Sequence, residues 1–147
     1  MMTTHRRLAL ATSLAALLTF SLAPVAAQTA LAERPHKVVF QISDAEPAKW
    51  NLALNNAKNV QKDLGADKVA VEIVAYGPGI GMLKMDSVVG SRIGEAVSTG
   101  VVVVACENTM HGLKLTRADM LGGIGYVAAG VVELMERQKQ GYAYIRP

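Results

Sequence analysis

Residues 101–104 are four consecutive valines, followed by Ala105 and then Cys106, the only cysteine in the chain. An unbroken β-branched run reads as a strand buried on both faces, which belongs in the middle of a parallel sheet. The apolar run stops at the thiol. Asn108 and Thr109 follow, and both are good helix N-cap residues. Cys106 is therefore expected where a buried strand hands over to a helix. In open α/β sheets this carboxyl edge is where ligands and catalytic groups gather. A helix start also favours a thiolate, through its free N–H groups and its dipole. The plain alternative is a small apolar core side chain, because free cysteine is among the most buried residue types.

The rest of the chain falls into alternating strands and helices around that strand. Residues 37–42 form the first strand, nearly continuous in apolar side chains. Ser43 or Asp44 is expected to cap the following helix, with Pro47 in its first turn. Trp50, Ala53, Leu54, Ala57, Val60 and Leu64 recur at helical spacing up to Gly65, a natural C′ residue. Trp50 reads as a core anchor rather than a ligand platform. Residues 69–76 form the second strand, and Gly77-Pro78-Gly79-Ile80-Gly81 follows at its end. That loop is neither a dinucleotide fingerprint nor a phosphate-binding loop, because Gly-x-Gly-x-x-Gly and Gly-Lys-Ser/Thr are both absent. It is either a tight turn that needs glycine or a backbone surface beside Cys106. Residues 82–85 fit a short helical turn. A helix capped by Asp86 or Ser87 then runs through Val88, Val89, Ile93, Ala96 and Val97 to Gly100. Residues 116–119 resemble a capping box with Asp119 in place of glutamate. Residues 124–127 read as a fourth strand and 128–140 as a last helix with Val131, Leu134 and Met135 inward. Residues 142–145 alternate, as an edge strand or a C-terminal clasp would. The pattern is an α/β sandwich on a mainly parallel sheet, with no repeat and no second domain.

The N-terminal stretch is not domain material. His5, Arg6 and Arg7 precede an uncharged apolar run over residues 8–24, and Val25-Ala26-Ala27 supplies small residues for cleavage. This is the pattern of a secretory signal peptide over residues 1–27, with Ala30-Leu31-Ala32 as a second cleavage site. An uncleaved N-terminal membrane anchor is the competing reading. Residues 28–36 would then be a short tail and residues 37–147 the domain, periplasmic or secreted. Without Arg6 and Arg7 the chain carries 13 basic against 12 acidic residues, so its basic balance belongs partly to the export signal. The chain has no Lys/Arg cluster and few aromatic residues, so nothing argues for nucleic acid. In an oxidising compartment a lone cysteine has no partner in its own chain; it is either buried and inert or available for mixed chemistry.

Several chemistries compete for Cys106. A zinc-type site lacks the paired ligand spacing, since only His36 and His111 remain beyond residue 27. His111 could act as a base if its ring reaches the thiol. Glu107, next in sequence, would oppose ionisation unless it points away. Met82, Met85 and Met110 fall on loops at the same edge, where a soft-metal site with Cys106 is an alternative; core filling explains them without one. No resident metal or other cofactor is expected.

Four separated blocks agree in order and spacing with a known family. They are Tyr76-Gly77-Pro78-Gly79-Ile80, Val104-Ala105-Cys106-Glu107-Asn108-Thr109-Met110, Ala129-Gly130-Val131-Val132-Glu133-Leu134, and the ending from Gln138 to Pro147. In these blocks the chain resembles the DsrE/DsrF-like sulfur-relay proteins, in particular a small exported branch. The resemblance implies a flavodoxin-like three-layer α/β/α sandwich and a homo-oligomer, a trimer or a hexamer. It implies a persulfide carried on Cys106, a loop shaped by Asn108 and Thr109, and a pocket lined by Gly77, Pro78 and Gly79, with His111 nearby. The expected partners are a sulfur donor and an acceptor thiol protein. The alternative is a non-enzymatic periplasmic protein that binds a small ligand or soft metal in the same pocket.

Overall fold

The computed structural model describes residues 34–147. The expected export signal over residues 1–27 and most of the expected tail lie outside the described residues. Among the described residues five strands and four α-helices alternate: β1 (His36–Ile42), α1 (Pro47–Leu64), β2 (Val69–Ala75), α2 (Gly90–Ser98), β3 (Val102–Cys106), α3 (Glu107–Gly112), β4 (Gly125–Val127), α4 (Gly130–Lys139) and β5 (Ala143–Ile145). The sheet order is β4-β3-β2-β1-β5. Every pairing within it is parallel, so the sheet is wholly parallel.

That order explains the layers. From β1 to β4 the chain steps always in one direction, so crossovers of one hand place their connections on one face. On that face α1 and α2 pack over Phe40, Ile42, Ile73 and Val103. The β3–β4 connection joins them, burying Met110 and Met120 in the same core. After β4 the chain reverses, crosses to β5 on the far side of β1, and must lay α4 over the other face. There Leu134 packs with Val39, Val74 and Val104. The result is the expected three-layer α/β/α sandwich of flavodoxin-like type. The reversal also creates a topological switch point between β3 and β4, the place where open α/β sheets bind ligands.

Several local expectations are corrected. Helix α1 is not capped by Ser43 or Asp44; Pro47 occupies its first position and Glu46 is the N-cap, with no side-chain capping bond. Ser43 instead accepts a hydrogen bond from Gln41 Nε2 at 3.0 Å, and Asp44 pairs with Lys49 at 3.2 Å. Helix α2 begins at Gly90, because residues 84–90 are held in successive turns by Ser87 N–H to Lys84 O and Gly90 N–H to Ser87 O. The glycine-rich loop is itself a 3₁₀ helix, Gly77–Leu83. The last helix starts at Gly130 rather than Ala128. The Ala128 carbonyl is engaged by the Asn108 N–H at 3.1 Å, and Ala129 remains extended. The capping box of Thr116 and Asp119 forms as expected, and residues 143–145 are an edge strand on β1. Trp50 is 7% exposed and anchors the core, donating to the Asp44 carbonyl at 2.7 Å.

The α4 face is thinly covered. Leu134 is buried, but Val131, Val132 and Met135 are each more than half exposed. Val102, expected to be buried on both sides, is 49% exposed for the same reason. Beneath α4 lies a charged group that strand patterning hides. Glu72, 1% exposed, points from the middle of β2 at Arg137, whose Nε lies 2.5 Å from Glu72 Oε2 and 2.8 Å from Glu133 Oε1. One guanidinium thus stands between two carboxyl groups in a poorly solvated place, with Glu72 Oε1 and Arg137 Nε left without a hydrogen bond.

Candidate functional site

Cys106 ends β3 and is at the same time the N-cap of α3, with extended φ −75° and ψ 114°. Val103 and Ala105 face the α1/α2 core, so alternation turns Cys106 toward the α4 side, beside Tyr76 at the end of β2. The expectation that Asn108 or Thr109 caps the helix is corrected: both lie inside its first turn. An N-cap side chain faces the N–H groups two and three residues on; here that side chain is a thiol, and it makes no capping hydrogen bond.

The electrostatics follow from this placement. Burial pushes the Cys106 thiol up, but the Thr109 hydroxyl and the N–H groups of Gly130, Thr109 and Asn108 outweigh it, and the net shift is downward. The N–H groups come from the first turns of two helices, α3 and α4, whose positive ends meet at the sulfur. Thr109 is set for this task. Its Oγ1 accepts a hydrogen bond from Gly77 N–H at 2.9 Å, so the hydroxyl proton is not used in that bond and is available to the sulfur. Gly77 presents that N–H from φ +53°, a conformation that favours glycine. The Sγ also lies 4.0 Å from the Ala128 carbonyl.

The carboxylate of Glu107 is paired locally, with Arg117 at 2.8 Å. Arg117 in turn stacks over the Tyr126 ring at 4.3 Å. Gly130 allows the start of α4 to lie against Tyr76, because a Cβ there would lie 3.0 Å from the Tyr76 Cβ.

The expected pocket residues divide. Gly77, Asn108 and Thr109 gather around Cys106. Gly79 serves packing: it is buried, and a Cβ there would stand 2.3 Å from the Ile42 carbonyl oxygen. Pro78 is exposed on the outer side of the loop. His111 is exposed in the last turn of α3, about 7.5 Å along the helix from Cys106 at 1.5 Å per residue. The methionines are not brought together. Met82 and Met110 are buried in the α1/α2 core, whereas Met85 is 68% exposed. Among the described residues no group of three or more His, Cys, Asp or Glu could hold a metal ion. Sequence reasoning missed Gly130 and Ala128, which reach the site only through the β3–β4 pairing; Gly130 carried a signal in being the one glycine of its helix.

A family model described as DsrE/DsrF-like family matches residues 36–147, the whole of the sheet and its helices. The chain belongs to the DsrE/DsrF-like family. Membership suggests a role in sulfur relay at the level of the family. Among solved structures it is similar to MTH1491 of Methanobacterium thermoautotrophicum, a protein of unknown function. The identity is 35% and the TM-score 0.73, over 76% of this chain and 99% of that one. It shares its fold with BT1422 of Bacteroides thetaiotaomicron, also of unknown function, at 18% identity and TM-score 0.61, over 76% and 94% of the two chains. A search of curated proteins found no match.

Proposed function

We propose that this member of the family is an exported sulfur carrier that holds sulfane sulfur as a persulfide on Cys106. The observation that carries the reading is the thiol at the N-cap of α3, with its acidity raised by one hydroxyl and three backbone N–H groups. The Cys106 thiolate attacks the outer sulfur of a donor persulfide, R–S–SH. A new S–S bond forms on Cys106, the donor's S–S bond breaks, and the donor leaves as a thiol. An acceptor thiolate then attacks the outer sulfur on Cys106 and takes it, and Cys106 departs as a thiolate. Two S–S exchanges move one sulfur atom with no external oxidant or reductant. A lowered thiol pKa enlarges the attacking thiolate fraction and makes Cys106 the better leaving group in the second step.

Export is supported by the basic, apolar and small-residue succession over residues 1–27. Assembly into a homo-oligomer is supported by the exposed Val131, Val132 and Met135 on α4 together with Val102. Sedimentation of the purified protein tests assembly, and a monomer at micromolar concentration refutes it. The function itself is tested by intact-mass analysis after incubation with a persulfide donor. The native protein should gain one or more sulfur atoms and Cys106→Ser none. A native protein that stays unmodified with every sulfane donor overturns the proposal. A reactive thiol that takes up no sulfur favours a binding protein that uses the same pocket.

A further inference from the structure

On the α1/α2 side of the sheet the two helices leave a cavity of about 170 Å³ between them. Its floor is apolar and deep: Leu54, Ala57 and Val101 are each less than 5% exposed. One polar wall is satisfied from within, since Gln61 Nε2 donates to the Thr99 carbonyl at 2.8 Å and Thr99 Oγ1 donates to Gln61 Oε1 at 3.1 Å. The rim is different. Arg92 lines it and is held by two neutral acceptors, the amide oxygens of Asn51 and, at 2.7 Å, Asn55. A guanidinium has five N–H donors, so these two bonds orient the group without exhausting it. Among the described residues Arg92 pairs with no carboxylate. Lys58 and Glu95 complete the charged lining, which leaves one positive charge in excess.

We propose that this cleft binds a small organic monoanion: a carboxylate on Arg92, with an apolar body on the floor of Leu54, Ala57 and Val101. The volume sets the size of that body. A cavity of about 150 Å³ takes one benzene ring, so the body is a single aromatic ring or a short branched alkyl group. The charge selects the head, because a fixed guanidinium offers paired N–H groups to a planar carboxylate. Two asparagines already hold the fork in place, so little side-chain freedom remains to be lost on binding. The site stands apart from Cys106 and does not depend on the sulfur-carrier reading.

The test is an amide-shift NMR titration of the protein with benzoate, beside its neutral isostere benzamide. Benzoate should shift α1 and α2 amides saturably, benzamide should bind at least tenfold more weakly, and Arg92→Gln should weaken benzoate at least tenfold. Cys106→Ser should leave benzoate binding unchanged. Absence of saturable shifts in the cleft overturns the proposal, as does equal binding of benzamide, unchanged binding in Arg92→Gln, or loss of binding in Cys106→Ser. Should Arg92→Gln fail to fold, the benzoate-to-benzamide ratio on the native protein decides alone.

Discussion

Replacing Glu72 by Gln tests the charged group under α4 most directly. Burial pushes the Glu72 carboxyl up to about 7 from an ordinary 4.5, with Arg137 pulling it down and Glu133 pushing it further up. The folded protein therefore keeps a proton that the unfolded chain releases near pH 4.5. Between these values the folded state binds more protons, so stability is greatest at the acid end and falls as pH rises through about 7. At about 1.4 kcal/mol for each pH unit, the interval is worth about 3 kcal/mol. Glutamine has the shape of the protonated acid but nothing to titrate. At pH 5 the variant should already be the more stable by about 1 kcal/mol, because the unfolded chain has begun to release the proton that the folded protein keeps. At pH 7.5 the variant should be the more stable by about 3 kcal/mol, or about 2 M in urea midpoint for an m-value near 1.5 kcal/mol/M. Asp44 and Asp119, both held low by hydrogen bonds from Lys49 and Thr116 respectively, shift stability only at more acid pH and do so equally in both proteins. Urea unfolding followed by circular dichroism at both pH values is the assay. Parallel pH profiles for the two proteins would refute the reasoning.

Thr109→Val removes a hydrogen bond to a charged sulfur, worth about 1.5 kcal/mol, and so reduces the thiolate fraction near neutrality about tenfold. The remaining thiolate is intrinsically more nucleophilic, so alkylation by iodoacetamide at pH 7 should slow only about threefold. Thr109→Ser should restore the native rate, and an unchanged rate in Thr109→Val would place the hydroxyl outside the site. His111→Ala should alkylate at the native rate; a tenfold fall would restore a Cys–His pair. Gly79→Ala should lose about 2 kcal/mol or more in chemical denaturation, because the new methyl group meets the backbone at Ile42. A native midpoint in that variant would show that the loop can move off β1.

The strand–helix alternation was legible because the apolar runs in β1, β2 and β3 are long and glycines such as Gly65 and Gly100 end the helices between them. Cys106 was legible as the end of a buried run. The surroundings of the thiol were only half legible. Asn108 and Thr109 have cap-forming side chains, and sequence alone favours them over cysteine at the N-cap. The backbone decides otherwise, since β3 runs to Cys106 and the helix follows without a spacer. Glu72 was unreadable as a special residue. Its partners Glu133 and Arg137 have the i,i+4 spacing of an ordinary surface pair, and only the packing of α4 over β2 makes a buried cluster of them. The inward assignment of Val131 and Met135 failed because one short helix must cover a whole sheet face and turns only Leu134 fully into it.

Most of the groups that acidify Cys106 are peptide N–H groups, and the other is a hydroxyl. None of them changes its charge in the range where a thiol ionises. The dependence of Cys106 reactivity on pH should therefore be one sigmoid, set by the sulfur's own proton, with no second limb from a neighbouring acid or base. Beyond the Thr109 hydroxyl, the bias toward thiolate is carried by main-chain N–H groups, which do not depend on the identity of the side chains around them. Surface substitutions around the site can then change which molecules reach the sulfur while leaving its chemistry almost untouched.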